Sequence, residues 1–164
     1  MLSYLILFFE YLKTRGKGVI GNIFVALLFS TFFYYLNVKT TEAITFSSNA
    51  INLLGILLGF TISLFAVILS VENELIKKAK NEKIKSKFYK TEFSLFDCLI
   101  INIAFVIILL SILLIFNFLF PLIFIKVFSS YLIYFVIDIG IIIFAILELV
   151  NLILNYYFLV TKND

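Results

Sequence analysis

Four apolar segments, each close to the length of a membrane-spanning helix, constrain the fold of this chain most strongly. A helix needs roughly 20 predominantly apolar residues to cross the hydrocarbon core of a bilayer. With 164 residues we expect these four helices and no second domain. The sequence, with 63% hydrophobic residues and a mean hydropathy of +1.16, therefore predicts an all-α polytopic membrane protein. The four predicted spans cover about residues 19–36, 50–71, 95–120 and 131–158.

The basic residues predict the orientation of these spans. Three of them precede the first span, seven lie between the second and third, and Lys162 follows the fourth. Only Lys39 and Lys126 lie on the opposite side. Because cytoplasmic loops carry the excess of Lys and Arg, we expect both termini in the cytoplasm. Residues 1–17 are predicted to form an interfacial helix, with a contact to the bundle as the alternative.

Local signals predict where the spans begin and end. Residues 37–48 are polar and predict a loop, and Pro121 is expected to end the third span and open a short turn over 121–130. Residues 72–93 are expected to form a cytoplasmic basic helical loop that continues the second helix. Ser94 and Asp97 have the spacing of a capping box at the start of the third span.

The second span is small and polar on one side. The stripe includes Asn52, Gly55, Gly59, Ser63 and Ser70, which fall within about a third of the helical circle. The opposite side is rich in leucine and is expected to face lipid. In the first span, small and polar residues repeat every four positions from Gly18 to Ser30, a pattern that allows helices to approach closely.

The fourth span carries two acids, Asp138 and Glu148, on the same face as Asn155. A carboxylate in hydrocarbon costs at least about 2.5–3.5 kcal/mol on insertion scales. Every Lys and Arg lies outside the four spans, so the sequence predicts acids that are protonated, hydrogen-bonded to amides and hydroxyls, or in contact with water. Three interpretations remain open: polar contacts that hold helices together, the lining of a cation-favouring water path in an oligomer, and a proton relay.

The segment between the second and third spans is a candidate binding surface for a cytoplasmic partner or an anionic ligand. Its charge suits a lipid head group, a nucleotide or an oligonucleotide, although any inner loop is basic. With no His and one Cys, and without a nucleophile–base pair, the chain is expected to be neither an enzyme nor a metal or cofactor protein. The lysines of the segment are Lys77, Lys78, Lys80, Lys83, Lys85, Lys87 and Lys90.

The apolar stretch GILLGFTISLFAVILS at 55–70 runs into the charged stretch ENELIKKAKNEKIKSK at 72–87. This plan resembles that of small multi-pass inner-membrane effectors of bacterial antiphage defence. The resemblance implies an oligomer that makes the membrane leaky when it is triggered. Small multidrug transporters are also four-helix proteins of similar length, but they carry a Glu in the first span, where this chain has Asn22 and no acid.

Three functions are consistent with these patterns. The first is a homo-oligomeric, gated, cation-favouring pore lined or framed by the second span with Asp138 and Glu148. The second is a non-conducting anchor that recruits a partner through residues 72–93. The third is a small proton- or cation-coupled transporter, although Gly140 is the only residue that interrupts a deep span in the manner of broken transporter helices.

Overall fold

In the computed structural model, residues 2–36, 38–70, 74–85, 92–127 and 131–161 are described. These residues form six helices and one antiparallel pair of short strands. In chain order the elements are α1 Leu2–Arg15, α2 Lys17–Tyr35, α3 Thr40–Ser70, α4 Glu74–Asn81, β1 Lys83–Lys85, β2 Glu92–Ser94, α5 Leu95–Val127 and α6 Tyr131–Thr161.

Helices α2, α3, α5 and α6 are long and apolar enough to cross a membrane. The prediction of a helical protein with four candidate spans is therefore confirmed. Helix α5 packs between α3 and α6, and α6 packs in turn against α2. The main contacts therefore follow the order α3, α5, α6, α2, which leaves α2 and α3 more exposed than the two central helices.

The apolar core lies along α5, where buried residues recur every three or four positions. Leu54 of α3 and Leu149 of α6 belong to the same cluster as the central residues of α5. A second cluster lies towards the other end of the bundle, around Phe120 and Phe135. The apolar residues of α5 outside this stripe, such as Ile112, Ile115 and Phe118, are exposed and suit lipid. The buried positions of α5 are Leu99, Asn102, Ile103, Val106, Leu110, Leu113, Asn117 and Phe120.

Helices α2 and α6 approach closely at Gly140. A β-carbon at this position would collide with the side-chain oxygen of Ser30, and the carbonyl oxygen of Ala26 would lie 3.8 Å from it. Ala26 and Ser30 are both buried, and the Ser30 hydroxyl donates to the Ala26 carbonyl at 2.9 Å. The small residues of the first span thus meet α6, as their spacing predicts.

Helix α3 begins earlier than the sequence predicts. Residues 40–48, predicted as part of a loop, are helical. The Glu42 carboxylate accepts the backbone N–H of Lys39 at 2.9 Å, which satisfies one donor at the start of the helix. Ala43 and Ser47 are buried against other elements. Tertiary packing therefore outweighs the weak helix propensity of the Thr and Ser residues in this segment.

Pro121 does not end α5, which continues to Val127. The predicted turn over 121–130 is therefore wrong for residues 121–127. A proline removes the hydrogen bond to the carbonyl four residues earlier, here that of Asn117. The Ser47 hydroxyl of α3 donates to that carbonyl oxygen at 2.8 Å. A neighbouring helix thus replaces the missing donor, which is how membrane helices tolerate proline.

The basic segment is only partly helical. Helix α4 ends at Asn81, and β1 pairs with β2 where the sequence predicts more helix. β-branched and aromatic residues at the pairing, Ile84 opposite Phe93, suit a strand better than a solvated helix.

The capping box at the start of α5 is confirmed. The N–H of Asp97 donates to Ser94 Oγ and the N–H of Ser94 donates to the Asp97 carboxylate, both at 3.0 Å.

Helix α1 packs on α5. Tyr11 is fully buried, and its ring is stacked on that of Phe105 with 3.7 Å between the ring centroids. Phe8 also lies against Phe105. The contact with the bundle, which the sequence leaves as an alternative, is therefore present. The turn into α2 is made at Gly16, whose φ of 54° favours glycine.

Candidate functional site

Two buried polar clusters join the helices, and each contains one acid of α6. The first is formed around Glu148, of which 2% is exposed. Arg15, at the end of α1, donates from Nε to Glu148 Oε2 at 3.1 Å. Asn22 of α2 donates from Nδ2 to the other carboxylate oxygen at 2.6 Å. We call Arg15, Asn22 and Glu148, with the residues around them, the Glu148 cluster.

For Glu148, this geometry corrects the prediction that no cation lies close enough to offset a buried acid. Arg15 lies outside the four predicted spans, but the turn at Gly16 carries its long side chain back to α6. The ammonium and guanidinium groups of such side chains reach several ångströms from their backbone. Arg15, which precedes the first membrane-spanning segment, therefore neutralises the buried Glu148. The hydrogen bond from Asn22 is an example of the amide contacts that the sequence leaves open as one way to satisfy the acids.

The Glu148 cluster extends to α5 through Thr14, whose hydroxyl donates to Asn102 Oδ1 at 3.3 Å. The Tyr11 hydroxyl is buried beside Glu148 and Arg15 but has no hydrogen bond among the described residues. Burial, together with the nearby Glu148 charge, raises the pKa of Tyr11 well above its usual value. Tyr11 therefore stays neutral over the physiological range.

The second cluster surrounds Asp138, of which 3% is exposed. Asn117 of α5 donates from Nδ2 to Asp138 Oδ1 at 3.0 Å and to the Leu113 carbonyl at 3.1 Å. Ser47 of α3 lies 3.0 Å from Asn117 Oδ1. This Asp138 cluster joins α3, α5 and α6. Asp138 and Glu148 are ten residues apart, about 15 Å along one helix.

The small and polar stripe of α3 points away from both clusters. Asn52, Gly55, Gly59, Ser63 and Ser70 are exposed on the outside of the protomer. A β-carbon added at Gly55 or Gly59 would meet no atom within 4 Å.

The opposite side of α3 forms the core, with Leu54 and Ile68 buried and Leu57, Leu58, Leu64 and Phe65 packed against the cluster. The prediction that this leucine-rich side faces lipid is therefore wrong. Leucine suits a helix–helix core as well as it suits lipid, so hydrophobicity alone does not distinguish the two sides.

The predicted polar face is thus divided into separate parts. The acids lie inside the protomer, the α3 stripe lies on its surface, and Asn155 is exposed near the end of α6. The serines of the stripe bond within their own helix, Ser63 to the Gly59 carbonyl and Ser70 to that of Val67. Asn49 and Asn52 make no side-chain hydrogen bond within the part of the chain that is described. Both amide groups are exposed on the surface of the chain.

An apolar hollow of about 480 Å³ lies between α2 and α6. Its walls include Ile23, Leu27, Ile137 and Phe144, and its floor is the close contact at Gly140. Such a surface suits hydrocarbon and offers little to water.

The described lysines of the basic segment lie at one end of the bundle. Lys77, Lys78, Lys80 and Lys83 are exposed, and Lys80 lies over the ring of Phe96, 4.9 Å from its centroid. Lys85 is in β1, whereas Lys87 and Lys90 lie outside the described residues. Helix α4 packs against α5 and α6 through the buried Ala79. The lysines whose side chains are described therefore belong to regular elements, α4 and β1.

Among the described residues, no three His, Cys, Asp or Glu side chains come together as a group that could hold a metal ion. The sequence identifies both acids. It does not predict that Tyr11 lies beside Glu148, or that Asn117 and Ser47 form the cluster around Asp138. Asn117 carried a signal, because a buried carbonyl four residues before a proline needs a new donor. Arg15 carried a weaker signal, its position one residue before the turn at Gly16.

Comparisons of this chain with protein-family models, with curated proteins and with solved structures find no match.

Proposed function

We propose that this protein is a polytopic protein of a bacterial inner membrane, with both termini in the cytoplasm, that self-associates through α3 and forms a gated ion-conducting oligomer. The observation that carries the proposal is the outward face of α3. Asn49 and Asn52 present amide groups that make no hydrogen bond with the described residues, on a helix long and apolar enough to cross a membrane. The four spans and the excess of basic residues on one side support the orientation.

A second copy of the chain fits this face better than lipid does. Polar side chains in hydrocarbon commonly hydrogen-bond across helices, at about 0.6–1.7 kcal/mol each in the membrane. Gly55 and Gly59, four residues apart and open on the outside, would allow two α3 helices to approach closely. The same face is identical in every copy, so it can pair with itself or repeat around a ring.

In such an oligomer the path would be lined by the uncharged residues of the α3 stripe, chiefly Asn52, Ser63 and Ser70. Asp138 and Glu148 are engaged inside the protomer, so this proposal does not rest on them for cation preference. The exposed lysines of the basic segment would receive an anionic ligand or partner that controls opening. We propose a membrane-disrupting role in defence against phage as the biological setting.

The test is electrical recording of the purified protein in planar bilayers, combined with its assembly state in nanodiscs. The wild-type protein should be oligomeric and should conduct ions. Gly59→Leu should abolish both properties, because the added side chain has free space within the protomer but would block a second helix. The matched control Ile20→Leu, on the exposed side of α2, should retain both. Electrically silent bilayers at high protein density contradict the proposal.

A second candidate function, a non-conducting anchor, is favoured by the packing of α4 on α5 and α6. This packing presents Lys77, Lys78 and Lys80 as a fixed surface rather than as a free chain. The anchor function requires a soluble partner that co-purifies with the protein. Exchange of the three lysines for glutamate should release that partner and leave the membrane insertion unchanged. Unchanged recruitment after the exchange would exclude the anchor.

A further inference from the structure

The two acids of α6 have different surroundings. Glu148 is paired with the Arg15 guanidinium and accepts a further hydrogen bond from Asn22. Within the described residues, Asp138 has one hydrogen-bond partner, the Asn117 amide, and no ion pair. Both acids are almost completely buried within a helix that can cross a membrane. The same helix therefore carries one acid with a counter-ion and one without.

The groups that face Asp138 cannot replace a counter-ion. From α5 it meets Asn117, and behind Asn117 lies Ser47 of α3, both of which are neutral. On α6 itself the nearest titratable side chain along the helix is Tyr134, one turn away. The core around them is formed by Phe120, Phe135 and Ile139. An ionised carboxylate here would lose its hydration for a single amide hydrogen bond, which does not compensate for the loss.

The Asp138 cluster also has fewer hydrogen-bond donors than acceptors. Ser47 has one hydroxyl hydrogen for two acceptors of Asn117, its carbonyl oxygen at 2.8 Å and its Oδ1 at 3.0 Å. The carbonyl is an additional acceptor because Pro121 provides no N–H. Asn117 already uses its amide hydrogens on Asp138 and on the Leu113 carbonyl. Asn117 therefore has no further hydrogen with which to stabilise a negative charge on Asp138.

We propose that the Asp138 cluster is a proton-binding site inside the membrane region, in which the Asp138 carboxyl is neutral at neutral pH. Glu148, 15 Å away by the rise of about 1.5 Å per residue, is the charged partner of Arg15. The site depends on contacts within one chain, so it is independent of the proposed oligomer. Release of the proton would require α3 or α5 to move away and admit water. The ligand of the site is the proton alone.

The test is infrared difference spectroscopy on the full-length protein in lipid nanodiscs at neutral pH. A protonated carboxyl has a carbonyl stretch distinct from that of a carboxylate, and the band shifts when the hydrogen is exchanged for deuterium. The wild-type protein should show this band, and Asp138→Asn should lack it. The matched variant Glu148→Gln should retain it. A wild-type protein without the band, or a band that survives in Asp138→Asn, overturns the proposal.

A second measurement does not depend on the folding of any variant. An apolar carbodiimide adds to protonated carboxyl groups within apolar surroundings, and the adduct can be located by peptide mass mapping. The wild-type protein at neutral pH should be modified at Asp138 and not at Glu148. The yield should fall as the pH is raised. A protonated carboxyl donates its proton to the carbodiimide nitrogen as the oxygen adds, and a carboxylate has no proton to donate. Modification of Glu148 instead of Asp138 overturns the assignment.

Discussion

Ser47 Oγ on α3 lies 2.8 Å from the carbonyl oxygen of Asn117 on α5, the atom that Pro121 leaves without a helical donor. One hydroxyl thus completes the hydrogen bonding of a helix to which it does not belong. This contact explains how an apolar helix of 33 residues continues through a proline. It also fixes α3 against α5 at the level of the Asp138 cluster.

Removal of this hydroxyl should cost more when the proline is present. Ser47→Ala should lower the free energy of unfolding by about 1 kcal/mol, because the carbonyl is left buried without a donor. In a Pro121→Ala background, residue 121 supplies its own N–H and the cost of Ser47→Ala should be smaller. The measurement is a double-mutant cycle by reversible unfolding in mixed micelles. Equal costs in both backgrounds would show that the two residues are not coupled.

The ion pair between Arg15 and Glu148 should hold α1 against α6. Glu148→Gln or Arg15→Gln should each destabilise the protein by roughly 3 kcal/mol, because each leaves one charge buried without its partner. The double variant Arg15→Gln with Glu148→Gln should recover part of the loss. Lys13→Gln serves as a control that removes a nearby positive charge outside this pair. A double variant whose loss equals the sum of the single losses would exclude the pairing.

Gly140 and Gly59 should respond differently to the same substitution. Gly140→Ala should destabilise the protomer, because the added methyl group meets Ser30, and Ser30→Gly should relieve the clash in the double variant. Gly59→Ala should leave the stability of the protomer unchanged or slightly raised, since its surroundings are open and alanine favours helices. Thermal unfolding in detergent measures both. Equal sensitivity at the two positions would contradict the described packing of α2 on α6.

The raised pKa of Tyr11 predicts a pH dependence of stability. The folded state keeps the phenol proton after the unfolded chain, with a pKa of about 10, has begun to lose it. Stability that derives from neutral Tyr11 is therefore complete below that pH and is lost as the pH rises further. Tyr11→Phe, which keeps the stack on Phe105, should show a weaker loss above pH 10 than the wild type. Identical alkaline profiles would exclude a contribution from Tyr11.

The sequence predicts the long helices well because about 20 consecutive apolar residues have few alternatives to a helix in a membrane. It also predicts the capping box at Ser94, and it leaves open that the acids are hydrogen-bonded to amides, as Glu148 is to Asn22. It does not predict which side of α3 is internal, because leucine packs equally well against helices and lipid. Nor does it reveal Arg15 or Ser47 as partners, since both contacts depend on how distant segments meet.

Pro121 is a second case in which a contact between distant segments overrides a local sequence signal. As a local signal, a proline ends a helix, and that rule fails when another helix supplies a donor at the right place. The strand pair in the basic segment is also a tertiary outcome, because β1 and β2 form only when their chain segments come together. The patterns of apolar residues therefore reveal the elements, whereas the polar contacts decide how the elements are joined.

The most direct test of the central claim, that α3 meets a second copy of the chain, is cysteine cross-linking in native membranes. In a Cys98→Ser background, Ser63→Cys places one thiol on the α3 stripe, and Phe24→Cys places one on the exposed side of α2. A disulfide forms only when the two Cα atoms come within about 7 Å. On mild oxidation, Ser63→Cys should give a covalent dimer and Phe24→Cys should remain monomeric. A monomeric Ser63→Cys protein, or dimers in equal yield from both positions, would contradict the account.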